Sequence, residues 1–149
     1  MKTYLKIFLI IVAFTLSVIL KLNYSEVFMN TLYTVLGIMF SIGLGLVVTF
    51  NLSGVKNRQF IIAIRNNLKT LRSLYISYFT ISTFFYLIES QLRAKDNNVI
   101  RIIDNSKIKL EFDFSTFTVC LLFYSIIYCI INMIDLQKLS ESIFDETNK

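Results

Sequence analysis

The sequence predicts an all-α integral membrane protein, with four transmembrane helices and a small extracytoplasmic β-hairpin between helices 3 and 4. Three observations lead there. The 149-residue chain is 55% hydrophobic, with a mean hydropathy of +0.63, where a soluble domain would be about 45–50% apolar. Its apolar residues fall into four runs close to the ~20 residues that cross a bilayer. The stretch Val27–Val55 is uncharged and carries a small residue at every fourth position: Gly37, Ser41, Gly45, Thr49 and Ser53.

The first span is expected at residues 4–22, with Lys6 and Lys21 reaching outward from its ends. A signal peptide is the alternative, since Lys2 and Lys6 precede an apolar stretch. The segment Lys21–Phe28 offers no small-x-small cleavage site, which favours an uncleaved anchor. The second span is expected at 30–52. All four glycines lie in this region, at 37, 43, 45 and 54. In lipid, helices associate through close backbone approach along small-residue stripes. Gly37, Ser41, Gly45 and Thr49 are therefore expected to form a packing face that holds a homo-oligomer. The third span is expected at 73–90, short enough for Arg72 and Glu89 both to snorkel outward. The fourth is expected at 114–134, between Asp113 and Asp135. Together they make one four-span domain over residues 1–149.

Orientation follows from the Lys and Arg distribution. With four spans, the two termini and the segment between spans 2 and 3 share a side. That side holds nine bases against four acids, and the other holds six of each, so the formal excess of +5 lies on one face. The strongest element is 56–72, where Lys56, Arg58, Arg65, Lys69 and Arg72 occur without an acid. This places 56–72 and both termini in the cytoplasm.

The segment Asn57–Tyr75 reads as an amphipathic helix. Phe60, Ile64, Leu68, Leu71 and Tyr75 share one face, and Arg58, Arg65, Lys69 and Arg72 form a stripe beside it. Nothing breaks it before the third span, so one long helix can extend into the cytoplasm. Such a face suits anionic headgroups or an acidic cytoplasmic protein. No base-reading fold accompanies it, which argues against nucleic acid.

The outer segment 96–113 carries the hairpin pattern. Lys107–Phe114 alternates polar and apolar, Val99–Ile103 is β-branched, and Asp104–Lys107 is turn-like. A two-residue turn would put Arg101 on the face of Leu110, and a longer loop would not. A lone hairpin is marginal in water, so it is read as a cap on a neighbour or the membrane, or as a sensor of an envelope ligand.

Thr118, Ser125 and Asn132 are spaced by seven along the fourth span. Such groups serve helix–helix hydrogen bonding or line a wet cavity in an oligomer. Cys120 and Cys129 fall on roughly opposite helix faces and form neither a disulfide nor a zinc pattern. His, Pro and Trp are absent. No ionisable residue lies mid-span, which argues against a proton-coupled pump. No carboxylate pair or activated nucleophile is available for an intramembrane protease. An enzyme is not expected, nor a cofactor or a metal site.

The plan of short inner termini, a basic inner connection, a small outer element and four spans resembles the small four-span membrane components of bacterial phage-defence systems. The Kiwa membrane subunit is similar in layout. The membrane component of the lambda Rex system is a second comparison, its glycine-containing second span running into a basic stretch as Gly43–Leu46 runs here into Lys56–Arg72. The resemblance carries over no functional residue. It implies a homo-oligomeric bacterial inner-membrane sensor or scaffold that recruits a cytoplasmic protein partner for antiviral defence. The alternatives are a pore-forming effector that depolarises the membrane and a structural subunit of a larger membrane complex.

Overall fold

The computed structural model describes residues 11–12, 15, 18, 24–52, 57–95, 99–105 and 108–147; over 99–111 and 145–147 it describes the backbone. These residues form α1 (Glu26–Val48), α2 (Arg58–Arg93), β1 (Val99–Asn105), β2 (Ile108–Asp113) and α3 (Phe114–Thr147). The described chain is mostly helical. Most of the first expected span lies outside the described residues; within it Ile11, Val12, Thr15 and Val18 are helical.

Each helix opens on a residue suited to cap it. Ser25 Oγ accepts the Phe28 N–H at 3.2 Å, and Glu26 adds a carboxylate in the first turn of α1. Asn57 Oδ1 accepts the N–H groups of Gln59 at 3.0 Å and Phe60 at 3.2 Å. Asp113 Oδ1 accepts the Ser115 N–H at 3.0 Å, so the last residue of β2 caps α3. The Ser25 cap explains why α1 occupies 26–48 rather than the expected 30–52. The helix starts one turn earlier at Ser25 and gives way after Val48, before Phe50 and Asn51.

Two helical segments are long and apolar enough to cross a membrane, Glu26–Val48 and Phe114–Phe144. The expected total of four is not reached among the described residues. The third expected span lies inside α2, where Ser, Thr and Tyr residues and Glu89 dilute the apolar character. Only 22% of the apolar stretch of α1 and 39% of that of α3 are buried, unlike the core helix of a soluble protein. Large apolar side chains instead face outward: Val27, Ile38, Ile42 and Val48 on α1, Ile76, Ile81, Phe84 and Leu87 on α2, and Phe123, Ile127, Ile131 and Ile134 on α3. So many exposed apolar groups suit lipid rather than water.

The chain divides into two compact units. One comprises Met1–Thr34 and Ile81–Tyr124, the other Val35–Thr80 and Ser125–Lys149. All three helices contribute to both. In the first unit the rings of Tyr33 and Tyr86 stack at 4.2 Å. The Tyr86 hydroxyl donates to Asn30 Oδ1 at 2.6 Å, and Tyr33 and Thr83 share a hydrogen bond of 3.1 Å. Phe85 packs on Phe114 and Phe117, which Phe112 of β2 also touches.

In the same unit β1 and β2 pair antiparallel. Asn105 lies opposite Ile108 and Ile103 opposite Leu110; the register then shifts past Ile102, so Arg101 lies opposite Glu111 and Ile100 opposite Phe112. The extra residue is a β-bulge. Apolar positions three apart on β1 thereby match apolar positions two apart on β2. Of the two registers the sequence left open, the bulge gives the one in which Arg101 does not share the face of Leu110.

The second unit centres on Tyr75, which has no exposed surface. Its ring lies where a side chain at Gly43 would be: a Cβ there would stand 2.6 Å from it. Its hydroxyl donates to the Cys129 carbonyl at 3.0 Å, and the rings of Tyr75 and Tyr78 both pack on Tyr128. Phe40 stacks on Phe79 at 4.2 Å.

Gly43→Ala forces the Tyr75 ring aside, an overpacking cost of about 1–3 kcal/mol, partly offset by up to ~1 kcal/mol of helix propensity. Gly45→Ala meets nothing within 4 Å and carries only the gain. In detergent, thermal loss of helicity should come earlier in the first variant and no earlier in the second. Identical midpoints would show that the ring does not rest on Gly43.

Candidate functional site

The expected basic face is built by one uninterrupted helix. α2 runs 36 residues without Gly or Pro, about 54 Å at 1.5 Å per residue, and so outruns a hydrocarbon layer of ~30 Å. Its first four turns carry Arg58, Arg65, Lys69 and Arg72, all exposed. Lys56 lies outside the described residues. Of the apolar face beside them, Ile64 and Tyr75 are buried and Leu68 and Leu71 half-buried, while Phe60 is exposed.

Arg65, Lys69 and Arg72 border a groove of about 660 Å³. The rest of its wall is Val47 and Val48 from the end of α1, Phe50, Asn51 and Leu52 beyond it, and Ile61 and Leu68 from α2. Three cations thus face a mainly apolar wall, and among the described residues no carboxylate lines the groove. A second cavity, of about 150 Å³, lies between Ile64, Leu68 and Leu71 of α2 and Asn132, Asp135, Leu136 and Leu139 of α3. There the N-terminal part of α2 packs along the C-terminal part of α3, which continues 13 residues past the expected span end at 134.

The small-residue stripe takes no part in this packing. Ser41, Gly45 and Thr49 are exposed, Gly37 is half-buried, and a Cβ added at Gly37 or Gly45 meets nothing within 4 Å. The Ser41 and Thr49 hydroxyls donate to the carbonyls of Gly37 and Gly45, at 2.9 and 2.8 Å. Among the described glycines, the one used within the chain is Gly43, which lies off the stripe.

Thr118 and Ser125 are wholly buried in their respective units. The Thr118 hydroxyl donates to the Phe114 carbonyl at 2.9 Å, and Asn132 Nδ2 donates to the Tyr128 carbonyl at 2.7 Å. Thr118 and Asn132 thus return hydrogen bonds to their own helix, and Thr118 and Ser125 sit inside the packed chain.

A cluster in the first unit went unread in the sequence. Glu89, expected to snorkel outward, is only 1% exposed. It pairs with Arg93 one turn on and accepts the Ser115 hydroxyl at 2.9 Å. These partners meet the carboxylate's need for polar contacts and make its burial tolerable. Beside it Asp113 accepts the Thr116 hydroxyl. Burial holds the Tyr24 hydroxyl above its ordinary pKa, and a hydrogen bond to Thr116 offsets part of that. The i, i+4 spacing of Glu89 and Arg93 was the available sign. It did not reveal the third partner, Ser115, which lies 26 residues away. Among the described residues no three His, Cys, Asp or Glu side chains are grouped to hold a metal ion.

No family model, curated protein or solved structure matches this chain.

Removing Glu89 strands the partly buried Arg93. Glu89→Leu should lower stability by about 3–5 kcal/mol, the usual cost of breaking a buried pair from one side. Glu89→Gln, which keeps the Ser115 hydrogen bond, should cost less. Chemical unfolding in detergent, followed by circular dichroism, would contradict the pairing if both variants unfold with the wild type.

Proposed function

We propose that this chain is a homo-oligomeric, four-span subunit of a bacterial inner membrane that serves a defence module as sensor or scaffold. In this reading both termini and residues 56–72 lie in the cytoplasm, and the paired strands β1 and β2 lie on the outer side. A cytoplasmic protein partner carries the chemistry, and the chain itself is not an enzyme.

One observation carries the reading. α2 and α3 are each longer than a bilayer needs. Their surplus ends, about 58–72 and 135–147, belong to the same compact unit, and leucines of both line the 150 Å³ cavity. Two packed helices projecting past the hydrocarbon layer make a platform, with Arg58, Arg65, Lys69 and Arg72 on one of them. The open stripe of Gly37, Ser41, Gly45 and Thr49 supports self-association, because a second copy can approach its backbone closely. The layout shared with four-span phage-defence subunits suggests the defence context. A pore lined by Thr118 and Ser125 has less support, since both are buried within the chain's own packing.

Purification in mild detergent from native-level expression, with the assembly mass measured, tests this reading. The expected result is a defined oligomer carrying a stoichiometric cytoplasmic protein. Gly45→Leu should reduce it to the monomer while helicity is retained. A monomeric wild type, or a defined oligomer that carries no partner and collapses membrane potential when expressed alone, would reject the scaffold.

A further inference from the structure

The groove where α1 ends and the basic part of α2 runs has a composition that selects one kind of molecule. Arg65, Lys69 and Arg72 stand at i, i+4 and i+7, on one side of the helix. Val47, Val48 and Leu68 supply apolar surface in the same groove, whose volume is about 660 Å³. That volume falls within the roughly 300–1,000 Å³ of ordinary ligand pockets.

We propose that this groove binds an anionic phospholipid, with the phosphate between Arg65, Lys69 and Arg72 and an acyl chain along Val47, Val48 and Leu68. The inference rests on the membrane reading above and gives the inner face a ligand. Charge complementarity is the first argument, since three cations line the groove and, among the described residues, no carboxylate does. Basic pockets between membrane helices on the cytoplasmic side take anionic headgroups. The apolar wall is the second argument. A free phosphate would leave that wall wet, and a purely acidic chain such as polyglutamate has no apolar group to cover it. A phospholipid satisfies both halves. Val48, 66% exposed, ends the apolar helix α1 where a headgroup region would begin, so a lipid can enter sideways.

The test uses the full-length protein in detergent, titrated with phosphatidylglycerol and read by native mass spectrometry. Phosphatidylcholine of the same chain length is the control. The wild type should retain phosphatidylglycerol saturably and release phosphatidylcholine. Lys69→Gln should weaken retention about fivefold, and the Arg65→Gln, Lys69→Gln, Arg72→Gln triple variant on the order of a hundredfold, from the usual contribution of each cation near an anionic surface. Val48→Ser should weaken it as well, through the chain contact. Helicity is monitored throughout, and if the triple variant does not fold, Lys69→Gln decides. Equal retention by wild type and variant overturns the proposal. So does displacement of the lipid by inorganic phosphate, which would mark a free-anion site, or by polyglutamate, which would mark a peptide face. No partner protein is present in the assay. A negative result therefore removes the lipid site and leaves the scaffold to its own purification test.

Discussion

A tyrosine ring occupies the space that a glycine leaves open, and the packing of the second unit depends on it. Tyr75 is wholly buried, so its hydroxyl has no water to bond with. An unpaired hydroxyl in an apolar setting costs roughly 2–7 kcal/mol. The Cys129 carbonyl, 3.0 Å away, already belongs to a helix but keeps a second lone pair free. The ring reaches it because residue 43 has no side chain. Glycine at 43, tyrosine at 75 and an accessible carbonyl at 129 therefore form one condition, which ties α1, α2 and α3 together. Phe40 on Phe79 and Tyr78 on Tyr128 extend this contact with further ring packing.

The same requirement governs other polar groups in the helices. A bilayer provides no water to satisfy them, and the described hydroxyls largely turn to the backbone one turn back, as Thr31, Thr34, Ser41, Ser77 and Thr118 do. These local bonds cost little entropy but specify little about neighbours. Among the described residues, the bonds that specify tertiary structure reach further along the chain: Tyr86 to Asn30, Tyr33 with Thr83, Tyr75 to Cys129, and Ser115 to Glu89. Each places a polar group that has no good local partner against another helix, where a shift of one turn would leave it unpaired. They therefore fix the register of helices whose apolar faces alone would tolerate sliding.

The parts of the chain that could be read in the sequence are those set by local chemistry. Apolar run length located the helical segment beginning at Phe114. The unbroken sequence from Asn57 onward implied one long helix, and α2 is that helix. The strand pattern of 99–113 and the exposed basic side of α2 followed from periodicity. Non-local features were not readable. Nothing near Gly43 distinguishes it from Gly37 and Gly45; the difference is Tyr75, 32 positions away in the chain. Glu89 resembled a terminal snorkelling charge because its acceptance of the Ser115 hydroxyl depends on how α3 leaves β2. The bulge at Ile102 arises from a conflict between turn length and apolar matching, and neither pattern alone contains it. The groove joins Val47 to Arg72, residues whose proximity depends on the path between two helices.

A helix with a basic side and an apolar stripe can lay the stripe on a membrane surface or pack it within its own chain, and α2 does the second. Its apolar stripe, from Ile64 to Tyr75, would suit an interfacial helix if nothing else covered it. Here Ile64 and Leu68 meet Leu136 and Leu139 of α3 around a shared cavity, so the chain covers its own stripe. The bases on the neighbouring side remain exposed. With no Gly or Pro between Arg58 and Arg93, α2 has no hinge of the usual kinds. The packing that covers the stripe thus leaves the basic side of the same helix exposed.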